Sequence, residues 1–212
     1  MNRTVFLIDG FNLCHSVKEA SRDLRGVSTK WLDIASLCKS YLYIIGNKAQ
    51  LQGIYYFSAL ARHLEAANPG VTSRHQAFIR CLEASGVVCQ LNRFKPKTIR
   101  CPYCHKDILR HEEKETDVAI SIKMIELLHK DECDTIVLLT GDTDIAPAVR
   151  TVFLLFPGKE IWFAFPYKRM NNELNRLVKK SIKISRDHYK KYQFPDPFVM
   201  PDGTPVSKPS SW

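Results

Sequence analysis

The sequence lacks the features that would assign it to several common protein classes. The apolar run before Asp9 is only about five residues long, too short for a signal peptide core or a membrane span. A GxxxxGK[ST] phosphate loop, a GxSxG elbow and an HExxH pair are also missing. These absences argue against P-loop NTPases, α/β-hydrolases and zincin proteases. A soluble, cytoplasmic protein without a membrane partner is therefore expected.

A disulfide framework is also not expected. The seven cysteines are an odd number, and all except Cys101 and Cys104 are scattered through apolar segments. Disulfide-stapled domains instead carry an even set of cysteines at regular spacing. Reduced thiols, with at most one metal site, are the better interpretation.

The composition supports one domain and an anionic partner. A chain of 212 residues that is 45% hydrophobic can bury one substantial core but is short for two. Its 31 basic residues outnumber 22 acidic ones, which gives a net charge of +9. That charge suits nucleic acid, although solvated lysine faces would explain it equally well. The charge supports a nucleic-acid partner only together with a phosphate-binding site.

Short apolar runs alternate with segments that have helical spacing. The predicted strands lie at 4–8, 52–58, 86–91, 134–140 and 160–165. The predicted helices lie near 13–24, 31–45, 71–85, 116–130, 144–155 and 171–180. This alternation predicts an α/β fold with a mostly parallel central sheet, helices on both faces and functional loops at the carboxyl ends of the strands. We expect a domain over 1–186 and a Pro-rich, extended or disordered extension over 187–212.

Several aspartates follow or flank these strands. Asp9 ends the first apolar run, Asp142 and Asp144 follow the strand at 134–140, and Asp117 opens an apolar helix. Each acid taken singly is explained as a helix cap or turn residue. Carboxylates gathered at neighbouring strand ends would repel one another unless protons or cations neutralised them. Mg²⁺ or Mn²⁺ is the economical solution, because these ions prefer oxygen ligands.

A hard divalent ion in this position predicts hydrolysis of a phosphodiester. Such an ion polarises the phosphate and lowers the pKa of a bound water, so no nucleophilic side chain is needed. Cys14 and His15 follow Asp9 closely, but neighbouring helical residues diverge in direction. A thiol-imidazole dyad is therefore not expected.

Three segments, LIDGFN, EEKETDVAISI and LLTGDTDIAPAV, resemble the NYN family, particularly its LabA-like bacterial branch. The resemblance covers most of residues 3–184, including EIWFAFP and ELNRLVKKSIKI. It implies a PIN-like, Rossmann-like three-layer fold and a metal-dependent ribonuclease site. The residues that match the family's site are the first-strand acid Asp9, the DGxN residue Asn12, the helix-opening acid Asp117 and the [ST]GDxD acids Asp142 and Asp144.

A basic insertion at 93–111 precedes the central helix. Its CPYC motif gives Cys101 and Cys104 the spacing of a two-thiolate zinc knuckle, but no second such pair completes a site. A metal-free turn and a redox-active pair are the alternatives. The basic residues, with aromatics among them, suit phosphates and unpaired bases, although a solvated loop is equally compatible. The residues expected to bind substrate are Arg93, Lys95, Lys97 and Arg100 and, after the strand at 160–165, Lys168 and Arg169.

The sequence therefore predicts a Mg²⁺- or Mn²⁺-dependent endoribonuclease, with DNA cleavage as the nearest variant. The alternative from another class is a non-catalytic adaptor that binds nucleic acid or regulates a partner. Metal-dependent cleavage distinguishes the two. A homodimer is compatible with the sequence, while the RNA that is recognised and the pathway are not visible in it.

Overall fold

The computed structural model describes residues 1–212, in which strands and helices alternate along most of the chain. The strands are β1 (Asn2–Asp9), β2 (Ala49–Ala59), β3 (Val88–Arg100), β4 (Asp107–Lys114), β5 (Thr135–Leu139), β6 (Glu160–Phe165), β7 (Ser181–Lys183), β8 (Phe198–Val199) and β9 (Pro205–Val206). The helices are α1 (Gly10–Asp23), α2 (Ile34–Ile45), α3 (Val71–Ala84), α4 (Thr116–His129), α5 (Ala146–Leu155), α6 (Asn172–Leu177) and α7 (Arg186–Lys191). Seven strands form one sheet in the order β4-β3-β2-β1-β5-β6-β7, and every pairing is parallel except that of β3 with β4.

The central strands β1 and β5 are buried on both of their faces. Phe6 and Ile8 of β1 join the core formed with α1, α2 and α3, whereas Val5 and Leu7 join the core formed with α4 and α5. Such strands appear in a sequence as continuous apolar runs, as these two do. Helices cover both faces of the sheet, so the three-layer, mostly parallel α/β fold predicted from the sequence is confirmed.

The basic insertion forms a β-hairpin that extends the edge of the sheet. The sequence predicted a strand ending at residue 91, but β3 continues to Arg100 and pairs antiparallel with β4, which the sequence did not predict. Most residues of the two strands beyond that point are exposed and many are charged, so no buried apolar run marks them. Residues 101–106 close the hairpin, and the Cys101 N–H donates a hydrogen bond of 2.9 Å to the carbonyl of Lys106.

The segment after α7 packs against the core on the side of α1, α2 and α3. Phe194 and Val206 are buried there, and Val206 belongs to β9, which pairs with β8. The ring of Trp212 lies 6.0 Å from that of Trp31 and 5.6 Å from that of Phe78. The prolines keep this segment out of helices, while its apolar side chains anchor it. No helix of the protein combines the length and the apolar character needed to cross a membrane.

Candidate active site at the carboxyl ends of β1 and β5

The strand order creates a crevice beside β1. From β1 the chain builds the sheet outward through β2 and β3, and later returns to the other side of β1 with β5, β6 and β7. In open parallel sheets, such a reversal leaves a crevice at the carboxyl ends of the strands, where ligands bind. Asp9 is the last residue of β1, and Asp142 lies in the loop after β5. The fold therefore brings these two acids to the same crevice.

Asp9 is buried and held by two hydrogen bonds. Its side chain is only 4% exposed. Its Oδ1 accepts a bond of 2.9 Å from the backbone N–H of Asn12, and its Oδ2 accepts one of 2.9 Å from the Thr140 hydroxyl. Burial raises the pKa of Asp9, the two bonds oppose that rise, and repulsion from Asp142 adds to it. Asp9 therefore caps α1 and also contributes to an acidic centre.

The loop after β5 is fixed against α1. Asp142 begins a short 3-10 turn and accepts a bond of 3.1 Å from the Asp144 N–H, while its own N–H donates to the Thr140 hydroxyl at 3.1 Å. The Gly141 N–H donates to Oδ1 of Asn12 at 3.2 Å. Asn12 thus joins the two strand ends, and the loop presents Asp144 to solvent.

Gly141 leaves no room for a side chain. A Cβ atom at this position would lie 2.1 Å from the carbonyl oxygen of Arg169, closer than real Cβ contacts ever come. The loop after β6 therefore packs directly on the backbone of the acidic loop. This close approach explains why glycine precedes Asp142.

Asp117, in the first turn of α4, completes the acidic centre. Burial, followed by repulsion from Asp142, Asp9 and Asp144, raises the pKa of Asp117 to about 6. Carboxylates repel one another in this way only when they lie close together in a poorly solvated place. The structure therefore places the four acids that the sequence singled out at the same crevice, close enough for their charges to interact.

Glu113 is a fifth acid, which the sequence analysis did not include. It lies near the end of β4, where it accepts a hydrogen bond of 2.6 Å from the Thr116 hydroxyl. Burial raises the pKa of Glu113, and repulsion from Asp9 and Asp117 adds to the rise. Its spacing of four residues from Asp117 does not indicate a shared helix face, because Glu113 lies in β4 and α4 begins only at Thr116. The nearby Glu115 instead pairs with Arg93.

The donor set suits a hard divalent cation, although the side chains are not gathered around one point. All five acids offer only oxygen, the ligand that Mg²⁺ and Mn²⁺ prefer. None of them forms an ion pair with Lys, Arg or His. However, no group of three or more His, Cys, Asp or Glu side chains is arranged to hold a metal ion.

Most cations that the sequence assigned to substrate are already paired with carboxylates. Arg93 lies 2.5 Å from Glu115, and the other pairs are Lys97 with Glu112, Lys168 with Asp23 and Arg169 with Glu19, at 2.6 to 2.8 Å. Lys95 and Arg100 lie exposed on the hairpin without such a partner. The six residues therefore form two separate groups, one on the hairpin and one in the loop after β6.

The two cysteines lie at the tip of the hairpin. The Cys101 thiol accepts hydrogen bonds from the backbone N–H groups of Cys104 and Tyr103, and these bonds lower its pKa. His111 is remote from the tip, because it pairs with Pro96 in the hairpin and stacks on His63 at 4.1 Å. The tip therefore offers two thiolate ligands, whereas structural zinc takes four ligands.

Parallel strands, helices on both faces and acids at the reversal point define a PIN-like α/β protein. The NYN domain matches residues 3–185, and the chain belongs to the NYN domain family, which is generally nuclease-like. The chain is 25% identical to 6-hydroxy-3-succinoylpyridine 3-monooxygenase HspA from Pseudomonas putida, over 99% of this chain and 75% of that protein. It also resembles the crystal structure of a protein of unknown function from Vibrio parahaemolyticus, with a TM-score of 0.57, 17% identity and coverage of 88% of this chain and 94% of that chain. The latter likeness bears on the fold alone.

Proposed function

We propose that the protein is a Mg²⁺- or Mn²⁺-dependent endoribonuclease of the LabA-like branch of the NYN family. The residues proposed to hold the ion are Asp9, Asp117, Asp142 and Asp144. The observation that carries this proposal is that the four acids lie at one crevice without any basic partner, where burial, followed by repulsion from Asp142, Asp9 and Asp144, raises the pKa of Asp117 to about 6. A bound cation would relieve that repulsion. Glu113 is proposed to contribute from the outer side of the group.

The side chains are proposed to have different roles around the ion. When bound, such an ion would polarise the phosphodiester and lower the pKa of a bound water. Asp9 is fixed by two hydrogen bonds, so its carboxylate keeps one orientation. Asn12 is proposed as a positioning residue, because it holds the loop that carries Asp142 and Asp144. Asp144 is exposed, so it is proposed to meet a substrate phosphate together with the ion.

RNA is the proposed substrate, and the remaining assignments complete the proposal. The net charge of +9 and the basic hairpin favour a polyanion, and Lys95 and Arg100 are free to bind phosphates. Lys168, Arg169, Arg93 and Lys97 are proposed to join them when substrate competes for their carboxylate partners. Residues 1–186 are the proposed nuclease domain and 187–212 its extension. The seven free cysteines favour the cytoplasm.

The direct test is cleavage of labelled single-stranded RNA and DNA with Mg²⁺, Mn²⁺ or EDTA. Wild type is compared with Asp9→Asn and Asp142→Asn, which remove a negative charge but keep an acceptor oxygen. Asp187→Asn, an exposed change on α7, is the matched control. We expect metal-dependent cleavage of RNA that both site variants lose and the control keeps, with circular dichroism reporting the fold.

Other outcomes assign the protein differently. Cleavage that survives EDTA or both site variants contradicts the proposal. Cleavage of DNA in preference to RNA contradicts the substrate assignment. If neither is cut while RNA still binds, the non-catalytic adaptor replaces the nuclease.

A structural zinc ion at Cys101 and Cys104 is a separate proposal. Two thiols supply half of the ligands that structural zinc takes, so a second copy of the chain would supply the rest. This arrangement would also provide the proposed homodimer. Zinc analysis and light scattering are expected to give one ion per two chains, with both ion and dimer lost in Cys104→Ser. Zinc-free protein would instead favour a metal-free turn.

The relationship to the Pseudomonas putida protein favours a second candidate, oxygenation of a hydroxypyridine. The similarity spans 99% of this chain, although identity is only 25%. Incubation of the purified protein with 6-hydroxy-3-succinoylpyridine, O₂ and a reductant tests this candidate. Consumption of the pyridine without any cleavage of RNA would favour it over the nuclease.

A further inference from the structure

One side of α1 leads away from the acidic centre along exposed residues. Phe11, Cys14 and Lys18 are exposed and are spaced three and four apart, so they lie on the same side of the helix. Phe11 follows Asp9 by two positions and is 47% exposed. Lys18 lies about two turns further, roughly 10 Å along the helix axis. This side of α1 therefore begins with an aromatic ring at the site and ends in a cation.

Four cations from separate parts of the chain converge at the far end of this side. Lys18 belongs to α1, Lys30 to the loop before α2, Arg74 to α3 and Lys208 to the C-terminal extension. The pKa of Lys30 is lowered first by partial burial and then by repulsion from the other three cations, with Lys18 the strongest. The packing of these segments agrees. The Thr29 hydroxyl, next to Lys30, donates a hydrogen bond of 2.9 Å to the carbonyl of Val17, next to Lys18. The Trp212 ring lies 5.6 Å from the Phe78 ring of α3. The fold therefore assembles a positive cluster that is dispersed in the sequence.

These four cations form no ion pairs within the protein, in contrast to the paired cations of the hairpin. Arg74 donates only to neutral partners, at 2.7 Å to the carbonyl of Pro69 and at 2.6 Å to the side-chain oxygen of Asn68. A surface of unpaired cations is the electrostatic counterpart of a polyanion.

The aromatic ring at the near end is braced. The ring centroid of His15 lies 4.6 Å from that of Phe11, with the two planes at 74°. This edge contact supports the half-exposed Phe11 ring on one side. Partial burial, with repulsion from Lys18 and Arg169, lowers the pKa of His15, so its ring is neutral at pH 7. An exposed ring held in this way offers a surface on which an unpaired base can stack.

We propose that the α1 surface, comprising Phe11, Lys18, Lys30, Arg74 and Lys208, binds a single-stranded stretch of RNA that extends from the acidic centre. Phe11 stacks on a base beside the scissile phosphate, and the four cations contact successive backbone phosphates. The identity of the ligand rests on the proposed function, while the surface itself rests on the exposure of Phe11 and Lys18 and on the unpaired charge of the four partly or fully exposed cations. Duplex RNA binds weakly there, because its bases are already stacked.

The cations are tested by binding, separately from cleavage. Fluorescence anisotropy measures binding of a labelled single-stranded RNA to Asp142→Asn protein in EDTA, so that nothing is cut. Adding Lys18→Glu and Lys208→Glu is expected to weaken binding by about tenfold or more. It should also reduce the salt slope by about 1.4, which is two phosphate contacts at about 0.7 each. Lys48→Glu with Lys179→Glu is the control, because it changes the net charge equally at the amino ends of β2 and β7.

The aromatic ring is tested by its preference for single strands. In the same background, Phe11→Ala is expected to weaken single-stranded binding by about tenfold and leave duplex binding unchanged, while Phe11→Trp retains affinity. Equal losses in the two charge-reversal pairs, or equal losses on single-stranded and duplex RNA after Phe11→Ala, would overturn the inference. If the α1 variants lose binding while wild type cuts nothing, the surface stands and the nuclease proposal fails. If wild type cuts RNA and the α1 variants bind and cut normally, the nuclease proposal stands and the α1 surface does not bind RNA.

Discussion

The amino ends and the carboxyl ends of the two central strands, β1 and β5, differ in how their acids are neutralised. At their amino ends, Asp134 accepts hydrogen bonds of 2.7 to 3.1 Å from the backbone and guanidinium of Arg3, and Lys159 lies 3.3 Å away. The bonds from Arg3, above all, hold the pKa of Asp134 well below its ordinary value. At the carboxyl ends, Asp9 and Asp117 form no ion pair, and burial, with repulsion from neighbouring acids, raises the pKa of both.

The difference separates acids that are neutralised within the fold from acids that have no cationic partner in it. A carboxylate that ties two strands together is neutralised inside the protein, as Asp134 is. Unneutralised acids at a shared crevice reduce stability, and such perturbed groups cluster at functional sites. The contrast therefore supports a cation as the missing partner of the carboxyl-end acids.

The largest expected effect contrasts cleavage by one variant from each end. Asp142→Asn is expected to reduce RNA cleavage by at least about 100-fold, because even outer partners of a metal ligand contribute 10- to 100-fold. Asp134→Asn, at the other end of β5, is expected to retain near wild-type cleavage. Cleavage rates measured under single-turnover conditions test this contrast. Equal losses of activity in Asp142→Asn and Asp134→Asn would contradict it.

The next largest effect concerns the backbone contact behind the acidic loop. Gly141→Ala would place a Cβ against the Arg169 carbonyl, so the loop must move, and the free energy of unfolding is expected to fall by about 1–3 kcal/mol. Gly158→Ala is the control, because a Cβ there meets nothing within 4 Å. Urea unfolding of both variants measures the change in stability, and their cleavage rates are measured in parallel. Equal stability of Gly141→Ala and Gly158→Ala would show that the contact is not tight.

A smaller effect is the pH dependence contributed by Asp117. Its pKa is raised to about 6 in the folded protein. The folded state therefore holds a proton that the unfolded state releases, and this stabilisation is lost as pH rises from about 4 to about 6. In EDTA, Asp117→Asn is expected to stabilise the protein at pH 7 by on the order of 1 kcal/mol, allowing for solvent screening. Thermal unfolding at pH 4.5 and pH 7 measures this; a variant less stable than wild type at pH 7 would contradict it.

The smallest effect has the opposite sign and comes from Asp134. Because its pKa is lowered in the folded state, its stabilisation is present above its ordinary pKa and is lost as pH falls. Asp134→Asn is expected to destabilise the protein at pH 7 by less than about 1 kcal/mol, since the pair is largely solvated. The loss should shrink toward pH 3. A loss that grew on acidification would show that the two ends do not differ as described.

The positions of the main acids could be predicted because the signals are local. Asp9 ends one apolar run, Asp142 follows another after Thr140 and Gly141, and parallel strands bring their carboxyl ends together. The alternation of runs and helical segments likewise predicted the order of the layers, which the structure confirms. The catalytic roles of these residues stay predictions.

Features that depend on tertiary contacts could not be predicted in the same way. Glu113 was omitted because only the turn between β4 and α4 directs it toward Asp9. The cations were counted without their partners, so Arg93 and Arg169 seemed free, whereas both are paired. The charge of Lys208 could not be connected with Lys18, because the packing of Trp212 and its neighbours anchors the extension beside α1.

Titration with Mn²⁺, followed by the electron paramagnetic resonance signal of the free ion, tests the central claim most directly. The wild type and Asp134→Asn are predicted to bind about one or two Mn²⁺ ions per chain at the carboxyl ends of β1 and β5, and Asp142→Asn is predicted to lose that binding. If wild type binds no Mn²⁺, or if Asp142→Asn binds it as tightly as Asp134→Asn does, a cation is not the partner of these acids.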